Sequence, residues 1–225
     1  MQKLAIGFVL ALVAVAMAVP VYAQVEGPKI AIHIQPKASK NACTTEGPTF
    51  ACSNFSAVGD TGVAYGIYLI VADGPPEGIA GAAFGISYDP DIGVFTWNLC
   101  ADIDFSHMTW PASGASTTVT WSTAGNCQTT DYGEGRQGIM GWLYAYAYGS
   151  GFFGITPRLT IENPDLVVVD CLVQEIDISQ EAVGAARFSP GSTMQGCNPC
   201  LICCVCTPVK ENTWGKIKKT FLEGE

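Results

Sequence analysis

Positive charge is scarce in this chain of 225 residues, where 11 Lys and Arg stand against 20 Asp and Glu for a net charge of −9. Without a basic face there is no footprint for nucleic acid, and Lys216, Lys218 and Lys219 near the end do not supply one. Histidine occurs only at His33 and His107, each expected at the surface or in a loop, no Gly-x-Ser-x-Gly elbow is present, and no glycine-rich phosphate loop occurs. The sequence therefore names no reaction. Helical periodicity is missing until the last dozen residues, which removes the alternating strand–helix architectures that host most nucleotide-dependent enzymes. There is no repeat at a fixed period and no low-complexity linker.

Long apolar runs are also lacking, with one exception at the start. Lys3 precedes an apolar stretch over residues 4–19, then Pro20 and Val21-Tyr22-Ala23. The run is shorter than the ~18–20 residues a membrane span needs, and it ends in a small-residue cleavage pattern, so residues 1–23 read as a signal peptide. No cysteine follows the cleavage point, which disfavours a lipoprotein. No transmembrane span is expected after signal cleavage, and the mature chain from Gln24 is expected to be secreted, periplasmic or at the cell surface. About 200 mature residues suffice for one sizeable core.

What is present is strand patterning. In Lys29-Ile-Ala-Ile-His-Ile-Gln35 the isoleucines Ile30, Ile32 and Ile34 share one face, while Ala31, His33 and Gln35 share the other. This alternation predicts a half-buried strand. Further strands are expected over residues 64–72, 79–88, 94–99, 117–121, 139–148, 157–161 and 166–173, separated by Gly, Pro, Asp, Asn and Ser. Short strands at this spacing predict an all-β fold, an immunoglobulin-like or jelly-roll β-sandwich over residues 24–196. Alternation weakens from Ser179 to Gly196, and a cysteine-rich segment with a short amphipathic C-terminal tail follows over 197–225.

Gly78-Ile-Ala-Gly-Ala-Ala-Phe-Gly-Ile-Ser-Tyr88-Asp89-Pro90, followed by Val94 and by Gly138-Ile-Met-Gly-Trp-Leu-Tyr-Ala-Tyr146, resembles the cohesin sandwich pattern. There a strand ends in Tyr-Asp-Pro and a later glycine-led strand returns along the core. The resemblance spans roughly residues 56–178 and implies a cohesin-like or carbohydrate-binding-module-like sandwich with a non-catalytic recognition role. The many cysteines depart from that pattern and put dockerin binding in doubt. Thr213-Trp-Gly-Lys-Ile-Lys is similar to C-terminal tails of exported bacterial proteins.

Five cysteines lie upstream (Cys43, Cys52, Cys100, Cys127, Cys171) and five in one cluster (Cys197, Cys200, Cys203, Cys204, Cys206). An even total in an exported chain points to disulfides. With five on each side, complete pairing demands at least one bond between sandwich and tail. The first expectation pairs Cys43 with Cys52 and Cys100 with Cys127, leaving Cys171 for the cluster. Zinc on the cluster is the alternative its Cys-x-x-Cys steps allow, since thiolates at this spacing suit that ion. An iron–sulfur centre is disfavoured, because the bacterial ferredoxin run has a different last spacing and places proline directly after it.

Along residues 139–148, Met140, Trp142, Tyr144, Tyr146 and Tyr148 alternate with Ile139, Gly141, Leu143, Ala145 and Ala147. Inside, the aromatic face is core; outside, its flat rings form a stacking platform for sugars. Burial energetics favour the core, as they do for Trp97, Trp110 and Trp121, although buried hydroxyls would each need a partner. Trp142, Tyr144, Tyr146 and Tyr148 are thus the ligand-binding candidates. Asp89, Asp91, Asp102 and Asp104 are carboxylates near strand ends, able to hold calcium with backbone carbonyls or to serve as acid and base on a glycoside. The plainer expectation is solvated turns. Near the end, Trp214, Ile217, Phe221 and Leu222 fall at helical spacing with a weakening Gly215, so this helix needs something to dock on, such as an export or envelope component. The function expected is non-catalytic recognition or surface structure, with polysaccharide or a cell-surface protein as partner. The rivals are a carboxylate-dependent secreted hydrolase and a thiol redox or metal protein using the cysteine cluster.

Overall fold

The computed structural model describes residues 26–37, 42–159 and 165–201. The expected signal peptide, Cys203, Cys204, Cys206 and the expected C-terminal helix lie outside these residues. Among the described residues twelve strands dominate: β1 (Lys29–Pro36), β2 (Val58–Gly59), β3 (Ala64–Gly74), β4 (Ile79–Tyr88), β5 (Ile92–Leu99), β6 (Ile103–Ser106), β7 (Ser116–Thr120), β8 (Arg136–Ala147), β9 (Gly151–Thr156), β10 (Val167–Asp170), β11 (Glu175–Asp177) and β12 (Ala185–Phe188). The only α-helix among the described residues is the single turn α1 (Ala42–Thr45).

Two sheets form the all-β sandwich. The first runs β1-β3-β8-β5, every pair antiparallel. The second runs β11-β10-β4-β9-β12-β2, with β7 on the other edge of β4 and β6 beyond it. The ten residues of β4 give β10 a partner along the first half and β9 along the second. Between the sheets lies the main core, where Ile30, Ile32 and Ile34 meet Leu69, Phe84, Ile86, Leu143, Phe153 and Phe188. The isoleucine face expected from the alternation of β1 is the one that points inward.

Several local expectations are corrected. Residues 157–159 hold only an isolated bridge from Arg158 to Asp165; the strand precedes them as β9, whose glycines Gly151 and Gly154 masked its apolar character. The weakly patterned stretch after Ser179 contains β12, buried at Ala186 and Phe188. The expected bonds Cys43–Cys52 and Cys100–Cys127 are replaced by Cys43–Cys100, Cys52–Cys200 and Cys127–Cys171, with Cα separations of 5.4, 5.8 and 6.0 Å. Pairing neighbours in sequence fails because antiparallel sheet topology brings distant strand ends together. The demand for a bond between sandwich and cluster is met by Cys52–Cys200. Cys197 is also disulfide-bonded, so two thiolates of the conceived zinc run are consumed.

These bonds fix a cap on the outside of the first sheet. Residues 42–56 fold across β1, β3 and β8, tied to the end of β5 by Cys43–Cys100 and to the 197–201 segment by Cys52–Cys200. Asn198, buried, donates from Nδ2 to the carbonyls of Cys52 and Phe55 at 2.7 and 3.2 Å, while its Oδ1 accepts the Cys200 N–H at 3.0 Å. A second apolar cluster results, in which Ala31, Cys52, Phe55, Tyr68, Ile70, Ala72 and Trp142 are buried. The outer face of β1, expected to be solvated, is covered for this reason.

His33 belongs to this covered face and is 6% exposed, not a surface histidine. The rings of Phe50, Phe55 and Tyr68 surround it, and its Nδ1 accepts the Ser56 N–H at 3.0 Å. Burial lowers its pKa below the usual 6.5. The unfolded chain therefore takes up a proton that the folded chain refuses as pH falls. Stability from neutral His33 is complete above about pH 6.5 and is lost below it, at no more than about 1.4 kcal/mol per pH unit. Denaturant midpoints at pH 7.5 and pH 5.0 should differ more in the native chain than in His33→Gln, whose side-chain carbonyl accepts from Ser56 without titrating. Equal differences in the two proteins refute this.

Candidate functional site

The aromatic face of β8 is divided by the cap. At the covered end, Trp142 is 4% exposed, and Lys37 lies over its ring with Nζ 3.9 Å from the centroid. Lys37 is held there by Glu46 at 3.4 Å, and Gln35 donates to the Glu46 carbonyl at 2.8 Å and to the Tyr68 hydroxyl at 3.2 Å. Desolvation, offset by Gln35 and reinforced by Glu46, pushes the Tyr68 pKa up to about 12. Trp142 is therefore core, in line with the favoured expectation.

Beyond the cap the same face is open. Tyr144 and Tyr146 are half-buried, Tyr144 still packing against the rim of the second cluster, and Tyr148, just past the strand, is 67% exposed. Alternate residues on a strand sit about 6.7 Å apart, so these rings form a row along β8. Phe95 of β5, 52% exposed, joins the row with its ring centroid 5.8 Å from that of Tyr144; Tyr146 and Tyr148 are 4.7 Å apart. The planes within these pairs are inclined at 50° and 55°. Small residues lie beside the rings: Tyr146 is paired with Ala64 and Gly93, and Tyr144 with Gly66 and Thr96. A Cβ on Gly93 would stand 2.9 Å from both the Phe95 and Tyr148 rings, so only glycine lets these two aromatics close over the strand. The result is a strip of four accessible rings and three phenolic hydroxyls.

Two bulges set which side chains reach the strip. The register of β8 against β3 slips between Leu69 and Ile70, so Met140 turns into the main core and Ile139 turns out to the second cluster. Met140 thus does not share the Trp142 face, as unbroken alternation predicted. Gly141 beside it is the available signal, because glycine inside a strand often marks a bulge. On β5 the register slips between Val94 and Thr96, which leaves Val94 and Trp97 packed on the core and turns Phe95 outward. Simple alternation places Phe95 with Trp97 and Leu99, which is why the sequence pattern missed it.

The four aspartates have separate local duties. Asp89 accepts the Phe152 N–H at 2.9 Å, and the Asp91 carbonyl accepts the Tyr148 N–H at 2.9 Å. Both carboxylate oxygens of Asp102 hold the following loop, through the Ser122 N–H and Asn126 Nδ2, each at 2.7 Å. Asp104 accepts from Trp97 Nε1 at 3.1 Å and from the Ser106 hydroxyl at 2.7 Å. Among the described residues no three His, Cys, Asp or Glu side chains are grouped to hold a metal ion. Trp121 is buried; Trp97 and Trp110 meet edge to face at 5.4 Å against the core.

A disulfide-linked β-sandwich with an open aromatic strip is the class of molecule this geometry defines. Its fold is similar to that of cohesin modules. The cohesin module of a Clostridium perfringens family 33 glycoside hydrolase aligns over 72% of this chain and 98% of its own, at 9% identity and a TM-score of 0.43. A non-cellulosomal cohesin from Archaeoglobus fulgidus covers 73% and 93%, at 8% identity and 0.44. The sixth cohesin of Acetivibrio cellulolyticus scaffoldin B, solved with a dockerin, covers 73% and 99%, at 10% identity and 0.43. No family model and no curated protein matches the chain. Overlap at this level carries no function across. The sandwich itself rests on the chain's own strand pairing.

Proposed function

We propose that this chain is an exported, non-catalytic recognition module that binds polysaccharide through Tyr144, Tyr146, Tyr148 and Phe95. The observation that carries this reading is the row of accessible rings on a rigid sheet, flanked by Ala64, Gly66 and Gly93. Aromatic faces match the apolar faces of pyranoses, and the phenolic hydroxyls supply hydrogen bonds at the rim. The 50° and 55° inclinations do not make one plane, so the strip suits a single curved chain in solution better than a flat crystalline surface. Seven cysteines held in disulfides among the described residues fit an oxidising compartment.

Titration with a panel of soluble polysaccharides tests this. Tyr146→Ala and Tyr148→Ala should each weaken binding about tenfold, roughly 1.4 kcal/mol, while leaving the thermal midpoint within a degree or two. Unchanged binding in both variants, or no binding by any polysaccharide, sinks the proposal.

A cell-surface protein is the second reading, favoured by one further feature. β6 ends the second sheet with one edge unpaired among the described strands, and Ile103, Phe105 and Met108 beside it are 54%, 66% and 93% exposed. An open strand edge rimmed by apolar side chains fits strand addition by a partner. Capture of an envelope protein that survives Tyr146→Ala but is lost in Phe105→Asp selects this reading over the first.

A further inference from the structure

A cavity of about 220 Å³ lies between the cap and the loop leading into β8, away from the aromatic strip. Gln137 and Ile139 line it from β8, Thr49 from the cap, and Thr130 and Tyr132 from the loop; the Cys43–Cys100 disulfide forms part of its wall. We propose that this cavity is a binding site for one uncharged sugar residue.

The central observation is an unpartnered acceptor. Gln137 is only 4% exposed, and its Nε2 donates to the Phe50 carbonyl at 3.2 Å. That carbonyl accepts only, so it fixes the amide with the NH2 toward Phe50. The other end of the amide, Oε1, is buried and accepts no hydrogen bond from the chain. A buried acceptor left unmade is costly, and an apolar residue at this position would avoid the cost. Gln137 also lines the polar cavity, so a small shift of its amide would bring this acceptor to a donor bound there.

Charge and size narrow the donor. None of the residues lining the cavity is Asp, Glu, Lys, Arg or His, so nothing there would neutralise an ion. Hydroxyl and amide groups dominate instead, from Thr49, Thr130, Tyr132, Gln128 and Gln137. A cavity of about 220 Å³ has room for a single pyranose with its hydroxyls. The walls are pinned on both sides. Cys43–Cys100 holds the cap, and Cys127–Cys171 holds the root of the loop, where Gln128 and Ile79 exchange both backbone hydrogen bonds at 2.9 Å. A site rigid before binding loses little freedom when it fills.

The proposal is independent of the polysaccharide reading, because covered Trp142 separates the cavity from the strip. It is tested on the oxidised full chain by NMR titration with glucose, galactose, mannose and N-acetylglucosamine, with their methyl glycosides, and with glucuronate and glucosamine as charged controls. Saturable binding of a neutral sugar is expected, with the charged relatives about tenfold weaker. Gln137→Leu should weaken it about tenfold and, without sugar, should unfold no more easily than the native chain. Thr130→Val, on the exposed lip, keeps the test open if Gln137→Leu fails to fold. Equal binding of free sugar and methyl glycoside assigns the site to chain ends, whereas binding of the free sugar alone assigns it to monosaccharides. No saturable binding, binding unchanged in both cavity variants, or binding lost in Tyr146→Ala overturns the proposal.

Discussion

Replacing Cys52 and Cys200 together by Ala should cost about 4 kcal/mol of stability with the remaining disulfides intact. The two cysteines are 148 residues apart, against 57 and 44 for the other two described bonds, so this bond removes the most freedom from the unfolded chain. It also closes the cap: without it, the Asn198 hydrogen bonds to Cys52 and Phe55 must hold the 197–201 segment unaided. Urea unfolding gives the magnitude, and amide exchange gives the location. The Phe55 N–H, bonded to the Cys52 carbonyl at 3.0 Å, should exchange faster, while the β4 amides paired to β9 should lose protection only through the global drop. A loss below about 1 kcal/mol, typical of a surface change, would show that the cap stands without its staple.

The role of this cap marks where sequence reasoning stopped. Period-two alternation identified β1, β3, β4, β5 and β8 and oriented the isoleucines of β1, because inward and outward positions of a strand differ in local composition. The cap is not local. Its residues 42–56 show no strong periodicity, and they cover β1 and β8 only because Cys43 and Cys52 reach partners far along the chain. His33 therefore looked solvated and is buried. The parity of the cysteines did require a bond into the cluster, but parity carries no information on which strand ends meet.

The candidate strip was partly legible for a related reason. Tyr144, Tyr146 and Tyr148 alternate as the pattern says, and their face is the outer one. Which end of that face stays open depends on the cap, and which neighbour joins it depends on a bulge. The slip between Val94 and Thr96 adds Phe95, and the slip between Leu69 and Ile70 removes Met140. A bulge changes every inward and outward assignment beyond it at the expense of a single residue, so a correct strand assignment still misplaces side chains.

The division of the β8 face has its own sharp consequence. Trp142→Ala should destabilise the fold by about 3–5 kcal/mol, since it removes a large side chain from a packed cluster with Phe55, Tyr68 and Ile70 and leaves a cavity under Lys37. Tyr148→Ala, three steps along the same alternating series from Trp142, removes an exposed ring and should change stability by no more than about 0.5 kcal/mol. Binding should follow the opposite order. At a temperature where both variants stay folded, Trp142→Ala should retain native affinity for polysaccharide, whereas Tyr148→Ala should lose about tenfold. Chemical unfolding and titration on the same two proteins separate the outcomes. If Trp142→Ala unfolds like the native chain, or loses binding while folded, the ring is not sealed beneath the cap and the strip extends along the whole of β8.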